Sequence, residues 1–427
     1  MLGTAFEWAY CVISVLLLIH ASLTPYWMLH AWWESAGRDR RSSRLADIVD
    51  LTEPRLSFSL LVPARHEELV LEATLERLAA STHPFVEILV IVGHDDHETS
   101  QVAQTVAHRR PDRVRVLTDS HEHKNKPRAL NVGLTHASGD IVGVFDAEDD
   151  VSPDLLVEVD RRFRSTGADI VQAGVQLVDF HRTWYSVRNC LEYFFWFRSR
   201  LAMQADRGFI PLGGNSVFFR RAVLDSLNGW DPDCLTEDCE LGVRASVDRF
   251  VVKVMYDADL VTKEETPTTL RSWIKQRTRW NQGFLQVLER GEWKRVPARN
   301  RTFAWYTLAS PLIQAVTGLL IPIAAATVLL GDFPLWMTMV GFLPVIPTVT
   351  TLAVEDVGLD DLARSLGDEA TWRDRLRLSV GAIPYQVLLG LAAARAVWRH
   401  HRGTANWEKT EHIGSHRQQE KEFARVG

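Results

Sequence analysis

The stretch 140–150, DIVGVFDAEDD, sets a short apolar run directly against four carboxylates. Residues 140–145 are too few for a stable helix and carry no polar alternation, so they read as a strand covered on both faces. Asp146-Ala147-Glu148-Asp149-Asp150 then ends the strand abruptly. Carboxylates this close repel one another unless a cation or strong donors lie among them. Two readings stand for them. An all-oxygen set suits Mg2+ or Mn2+ bridged to substrate phosphates. A solvated acidic turn that caps a helix starting near Pro153 is the other.

Working outward, residues 57–63 (SFSLLVP), 86–92 (VEILVIV) and 113–118 repeat the short buried pattern. Amphipathic stretches at about 67–81 and 127–137 separate them, so the block predicts an α/β fold with a mostly parallel, doubly wound sheet. Ligands bind such sheets at the C-terminal strand ends. No Walker A loop and no GxGxxG occur, which removes the usual support for ATPase and dinucleotide readings. Thr236-Glu237-Asp238 is a second acidic group. Asp238 is placed to take a proton as general base beside Glu237, or the segment caps a helix over about 239–246. Gln276-Arg277-Thr278-Arg279-Trp280 lies in an amphipathic stretch over 268–288. Its arginines offer forked donors for phosphate and Trp280 a flat face for a sugar, while a basic amphipathic helix also suits a membrane surface.

The chain has 427 residues, 46% of them hydrophobic and 24% charged, with a net charge of -6. That excludes a disordered chain or a small disulfide scaffold and argues against a dedicated nucleic-acid binder. The average conceals four uncharged runs, at 8–33, 302–331, 333–354 and 378–394. The first three are long enough to cross a bilayer, and the fourth is marginal. Trp8, Trp27, Trp32, Trp33, Trp305 and Trp336 flank the runs as interfacial aromatics do. Arg38, Arg40, Arg41 and Arg44 follow the first run, which puts the next block in the cytoplasm of a multi-pass protein of the plasma membrane. Four cysteines without metal spacing fit a reducing compartment. The expected division is a transmembrane helix and basic linker over 1–50, an α/β block over 51–266, and interfacial helices over 267–300. Membrane helices over 301–400 and a polar tail over 401–427 complete it.

Taken in order, the motifs resemble family 2 glycosyltransferases of the GT-A fold, in the membrane-embedded, cellulose synthase-like, processive branch. The resemblance rests on residues 62–67 (VPARHE), 126–131 (KPRALN), Asp146-Ala147-Glu148-Asp149, 213–221 (GGNSVFFRR), Thr236-Glu237-Asp238, and Gln276, Arg279 and Trp280 as QxxRW. Residues 407–412 (WEKTEH) are similar to the closing motif of a bacterial subgroup. The resemblance implies an inverting hexosyltransferase that uses a UDP-sugar or GDP-mannose with Mg2+ or Mn2+. It implies a growing polysaccharide as acceptor, with secretion through the chain's own helices, or else one sugar added to a polyprenyl phosphate or other lipid. Asp146 and Glu148 would hold the metal and diphosphate, with Asp238 as base beside Glu237. Ala64, Glu67, Asp95, Asp96 and Lys126 would lie on the donor, and Gln276, Arg279 and Trp280 on the diphosphate and acceptor. Gly93 and His94 stand where the family's nucleotide-binding Asp pair is usual, with Asp95 and Asp96 displaced.

Overall fold

The computed structural model describes residues 2–33, 53–318, 320 and 334–404. The basic stretch after Trp33, the second apolar run beyond 320 and the 407–412 motif lie outside these residues.

Strand β1 (Phe58–Ala64) is buried along nearly its whole length and runs parallel to β2 (Val86–Gly93) and β4 (Ile141–Val144). Helix α2 (Leu71–Ala79) connects β1 to β2, and α3 (His97–Arg109) connects β2 to β3 (Val114–Asp119). Helix α4 (Lys126–His136) feeds β4, and α5 (Leu155–Thr166) follows it. Beyond these come β5 (Ile170–Ala173), β6 (Val175–Leu177), α6 (Ser186–Phe195), α7 (Leu201–Arg207) and β7 (Val217–Arg220). The short α8 (Arg221–Ser226), then α9 (Glu237–Val247), β8 (Val252–Met255) and β9 (Thr262–Glu264) complete the block.

The main sheet runs β3-β2-β1-β4-β7-β5-β8, with β7 antiparallel to both neighbours. The expected mostly parallel sheet is therefore present, with one reversed strand. That strand carries Phe218 and Phe219, which fill the two faces of the sheet. Each face is a layer of Leu, Ile, Val and Phe against helices, the double cover that continuous apolar strands require.

Helix α10 (Leu270–Arg290) leaves this block, and α11 (Ala298–Leu308) follows. Helix α1 (Leu2–Trp33), α12 (Leu335–Phe342), α13 (Val345–Ser365), α14 (Trp372–Val380) and α15 (Ala382–His401) form the apolar side of the molecule. Among the described residues two spans, Tyr10–Trp32 and Leu335–Ser365, are long and apolar enough to cross a membrane. The pair α14–α15, bent by 52°, makes a third if it counts as one span. Leu16, Ile19, Leu335, Ile346, Val349 and Ile383 point outward and exposed, as lipid-facing residues do. Helix α10 lies along α15, so the α/β block and the apolar helices share one long contact.

Candidate active site

The carboxylates after β4 divide into two sets. Asp149 is fully buried, accepts from the Asp146 amide at 2.8 Å and from the Asn215 side chain at 3.1 Å. Burial, then the charges of Glu264, Asp146 and Glu148, hold its carboxyl well above the usual range. Asp150 pairs with Arg77 at 3.1 Å. Asp146 and Glu148 instead line a cavity of about 1440 Å³. Asp149 and Asp150 thus turn away from the cavity, and Asp146 and Glu148 face it.

Lys126 opens α4, where a cation faces the positive end of the helix dipole. The position makes sense from what its ammonium reaches: it bonds Asp146 Oδ1 and donates to the Gly214 carbonyl at 2.9 Å. Burial works against its charge, but Asp146, Glu237 and Asp238 outweigh it and hold the group well above the ordinary lysine range. Across the cavity stand Glu237 and Asp238, in the first turn of α9. Burial, then the Asp238 charge, pushes Glu237 up to about 7, while Lys126 pulls the other way. Burial also raises Asp238, opposed by the Cys239 amide at 2.8 Å, Lys126 and Arg279. Gly214 floors this gap, since a Cβ there would lie 3.1 Å from Asp238 Oδ2.

The turn before Glu237 is fixed by α10. The Thr236 hydroxyl forms no cap for α9; the side chain lies instead against the Gly283 backbone. A Cβ at Gly283 would meet Thr236 Cγ2 at 2.5 Å and Cβ at 2.8 Å. Gly283→Ala therefore forces α10 and the Thr236 turn apart. Turnover is expected to fall about tenfold or more, although alanine favours the helix by about 1 kcal/mol. Steady-state kinetics beside a melting curve checks this.

Helix α10 also brings Gln276, Arg279 and Trp280 to the cavity. Among the described residues Gln276 Oε1 is buried without a hydrogen-bond partner, an acceptor that a ligand hydroxyl would satisfy. Arg277 is committed elsewhere. It pairs with Glu192 at 2.5 Å and bonds Asn189, and its guanidinium lies 5.3 Å from the Trp273 ring and 4.8 Å from that of Trp280. It orients Trp280; both arginines line the cavity, Arg277 already held by Glu192.

Ala64, Glu67, Lys126, Asp146, Glu148, Glu237, Asp238, Gln276, Arg279 and Trp280 all line the one cavity. Asp95 and Asp96 do not belong to it. Asp96 caps α3 through the Thr99 amide and accepts from the His66 amide at 2.6 Å, and Asp95 pairs with Lys124 at 3.2 Å and Arg65 at 3.4 Å. The carboxylate lining the cavity from the end of β3 is Asp119. Asn215, within the quoted 213–221 segment, bonds both Asp149 and Glu264, and sequence reasoning passed over Glu264 and over Glu192 and Tyr193 of α6. Among the described residues no three metal-binding side chains converge. Asp146 and Glu148 still fit a divalent cation that takes one or two carboxylates and completes its shell with phosphate and water.

The fold is shared with a mannosyltransferase from Pyrobaculum calidifontis, solved in complex with GDP-Man and Mn2+. The two are 16% identical with a TM-score of 0.58, over 92% of this chain and 98% of that one. The chain is 28% identical over 235 residues to a beta-monoglucosyldiacylglycerol synthase of Nostoc sp., covering 53% of this chain and 49% of that protein. It thus spans about half the length of that relative. It is also 22% identical over 319 residues to a poly-beta-1,6-N-acetyl-D-glucosamine synthase of Staphylococcus epidermidis, covering 72% of this chain and 73% of that protein. A family model described as glycosyltransferase like family 2 matches residues 54–283, from the start of the sheet to the glycine of α10 that meets Thr236. A match that takes in the strands, both acidic groups and QxxRW together makes this chain a member of glycosyltransferase family 2.

Proposed function

We propose that this protein transfers a hexose from a nucleotide diphosphate sugar to an acceptor hydroxyl in a single inverting displacement, at the cytoplasmic face of a membrane. The observation that carries the reading is the continuity of the cavity. It runs from Ala64 and Asp146, past Asp238, to Leu17 and Trp27 of α1 and Phe342 of α12. Its volume of about 1440 Å³ exceeds an ordinary small-ligand pocket and accommodates donor and acceptor end to end.

Asp238 accepts the proton of the attacking hydroxyl. Glu237 and Lys126 set the charge around it, and Arg279 holds the departing diphosphate by forked hydrogen bonds. Trp280 and Gln276 hold the acceptor sugar by its face and by a hydroxyl. Asp119, rather than Asp95 or Asp96, is the carboxylate best placed toward the nucleoside. Asp146 and Glu148 would hold Mg2+ or Mn2+, which when bound neutralises the charge developing on the diphosphate.

QxxRW beside apolar helices favours a growing polysaccharide as acceptor, with the chain assigned to the cellulose synthase-like branch and the product passing through its own helices. The apolar walls of the cavity and the glycolipid synthase among its relatives favour a second reading, transfer of one sugar to a lipid. Incubation of the purified protein with UDP-glucose, UDP-N-acetylglucosamine and GDP-mannose in Mn2+ is expected to release nucleoside diphosphate from one of them. Chelation with EDTA is expected to abolish the release and added Mn2+ to restore it. Polymer of increasing length supports the first reading, and a single labelled sugar confined to the lipid fraction replaces it with the second.

A further inference from the structure

Between α6 and α7 the chain passes through one turn of π-helix, Trp196–Arg200. Such turns are uncommon and recur at functional sites. This one directs Arg200 into the membrane-side end of the cavity. Its guanidinium carbon lies 4.6 Å from the Trp27 ring centroid and 5.0 Å from that of Trp196, held between two aromatic faces. Among the described residues this guanidinium makes no hydrogen bond and no ion pair, and its Nε is buried without a partner. Neighbouring arginines are all matched: Arg188 with Glu355 at 2.9 Å, Arg198 with Asp361 at 3.5 Å, and Arg277 with Glu192. Burial pushes Arg200 down to about 10, which leaves it charged at neutral pH. Glu192 attracts this charge without contacting it and is itself bonded to Arg277, so a half-buried guanidinium with no anion in contact favours an anion from outside the chain.

The surroundings define which anion. His20 and Tyr306, joined at 3.0 Å, border the same part of the cavity and offer further polar atoms. Leu17, Trp27 and Ile313 supply apolar wall. Helix α1 is one of the two spans able to cross a bilayer, so this end of the cavity opens among helices that lipid would surround. A soluble anion would meet these walls at a penalty, and a neutral lipid would leave the guanidinium unanswered. We propose that Arg200, clamped by Trp27 and Trp196, is a subsite for the phosphate head group of a lipid that carries the acceptor. The phosphate serves as an anchor and does not react; the hydroxyl to be glycosylated lies toward Asp238. This rests on the transfer reading above and deepens it by naming the class of molecule that brings the acceptor.

The test uses the full chain in detergent micelles with radiolabelled dodecyl phosphate as probe. Saturable binding is expected, with dodecanol and inorganic phosphate competing poorly. Arg200→Gln is expected to weaken it at least about tenfold, Arg200→Lys to recover much of the loss, and Trp196→Leu to weaken it by about threefold or more. Nucleotide-sugar affinity, measured on the same samples, is expected to stay unchanged in Arg200→Gln, which also reports that the variant is folded. If that variant does not fold, Trp196→Leu and the comparison of dodecyl phosphate with dodecanol on the wild type decide. Equal binding of dodecanol and dodecyl phosphate, effective competition by inorganic phosphate, or an Arg200→Gln variant that binds as wild type, overturns the proposal. Arg200-dependent dodecyl phosphate binding by a protein that binds no nucleotide sugar would retain the subsite and reject the transfer reading.

Discussion

Asp238→Asn is expected to lower turnover about a thousandfold while donor affinity stays within about threefold, the signature of a lost general base. Asparagine keeps the size of the side chain and its oxygen toward the Cys239 amide but cannot take the hydroxyl proton. Burial already raises Asp238, and it must be ionised to act. Wild-type turnover is therefore expected to fall as pH drops through its raised pKa, and the residual rate of Asp238→Asn to lack that limb. Donor turnover against pH, with nucleotide binding measured separately, checks both. A variant that turns over like wild type would remove Asp238 from the chemistry.

Lys126→Met carries the second large effect, and of a different kind. The ammonium bonds Asp146 and is drawn upon electrostatically by Glu237 and Asp238, so its removal leaves three carboxylates without their nearest cation. Lys126 lowers both Glu237 and Asp238, so without it each rises further. The acidic limb of the pH profile is then expected to move to higher pH, with a loss of about a hundredfold at neutral pH that recovers in part in alkaline buffer. A uniform loss at every pH would instead mean that Lys126 acts on the donor alone.

What the sequence made legible follows from where the physics is local. Buried strands are continuous apolar runs with polar ends, and β1, β2, β3 and β4 stand within two residues of the runs quoted for them. The antiparallel β7 was not legible, because VFFR has no feature that fixes its direction. At the site, Asp146, Glu237 and Asp238 were legible since each ends a strand or opens a helix, where dipoles and loops leave carboxylates accessible. Arg277 lines the same cavity as Arg279 and stacks on Trp280 three residues on; its pairing with Glu192 is a tertiary contact that no local rule reads from the sequence. Asp96 followed by Thr99 is an ordinary helix cap, and the structure uses it as one. Glu192, Tyr193 and Arg200 sit within helices where no local rule separates a cavity wall from a core wall, and only the tertiary fold distinguishes them.

The seam between α10 and α15 joins parts that answer to different surroundings. Asp238 is carried by the first turn of α9, a helix whose Leu241 and Ala245 pack on the sheet, whereas Gln276, Arg279 and Trp280 ride on a helix laid along α15. Thr278 donates to the Ala392 carbonyl at 3.4 Å, Gln282 donates to the Thr404 carbonyl at 2.5 Å, and Arg399 donates to Gln282 at 3.2 Å, so α10 follows the tilt of α15. Tilt is what an apolar helix adjusts when hydrocarbon thickness changes. On the proposed reading, acyl-chain length is expected to become a variable of the reaction, acting on the spacing between Asp238 and the groups of α10, without any lipid touching the reacting atoms.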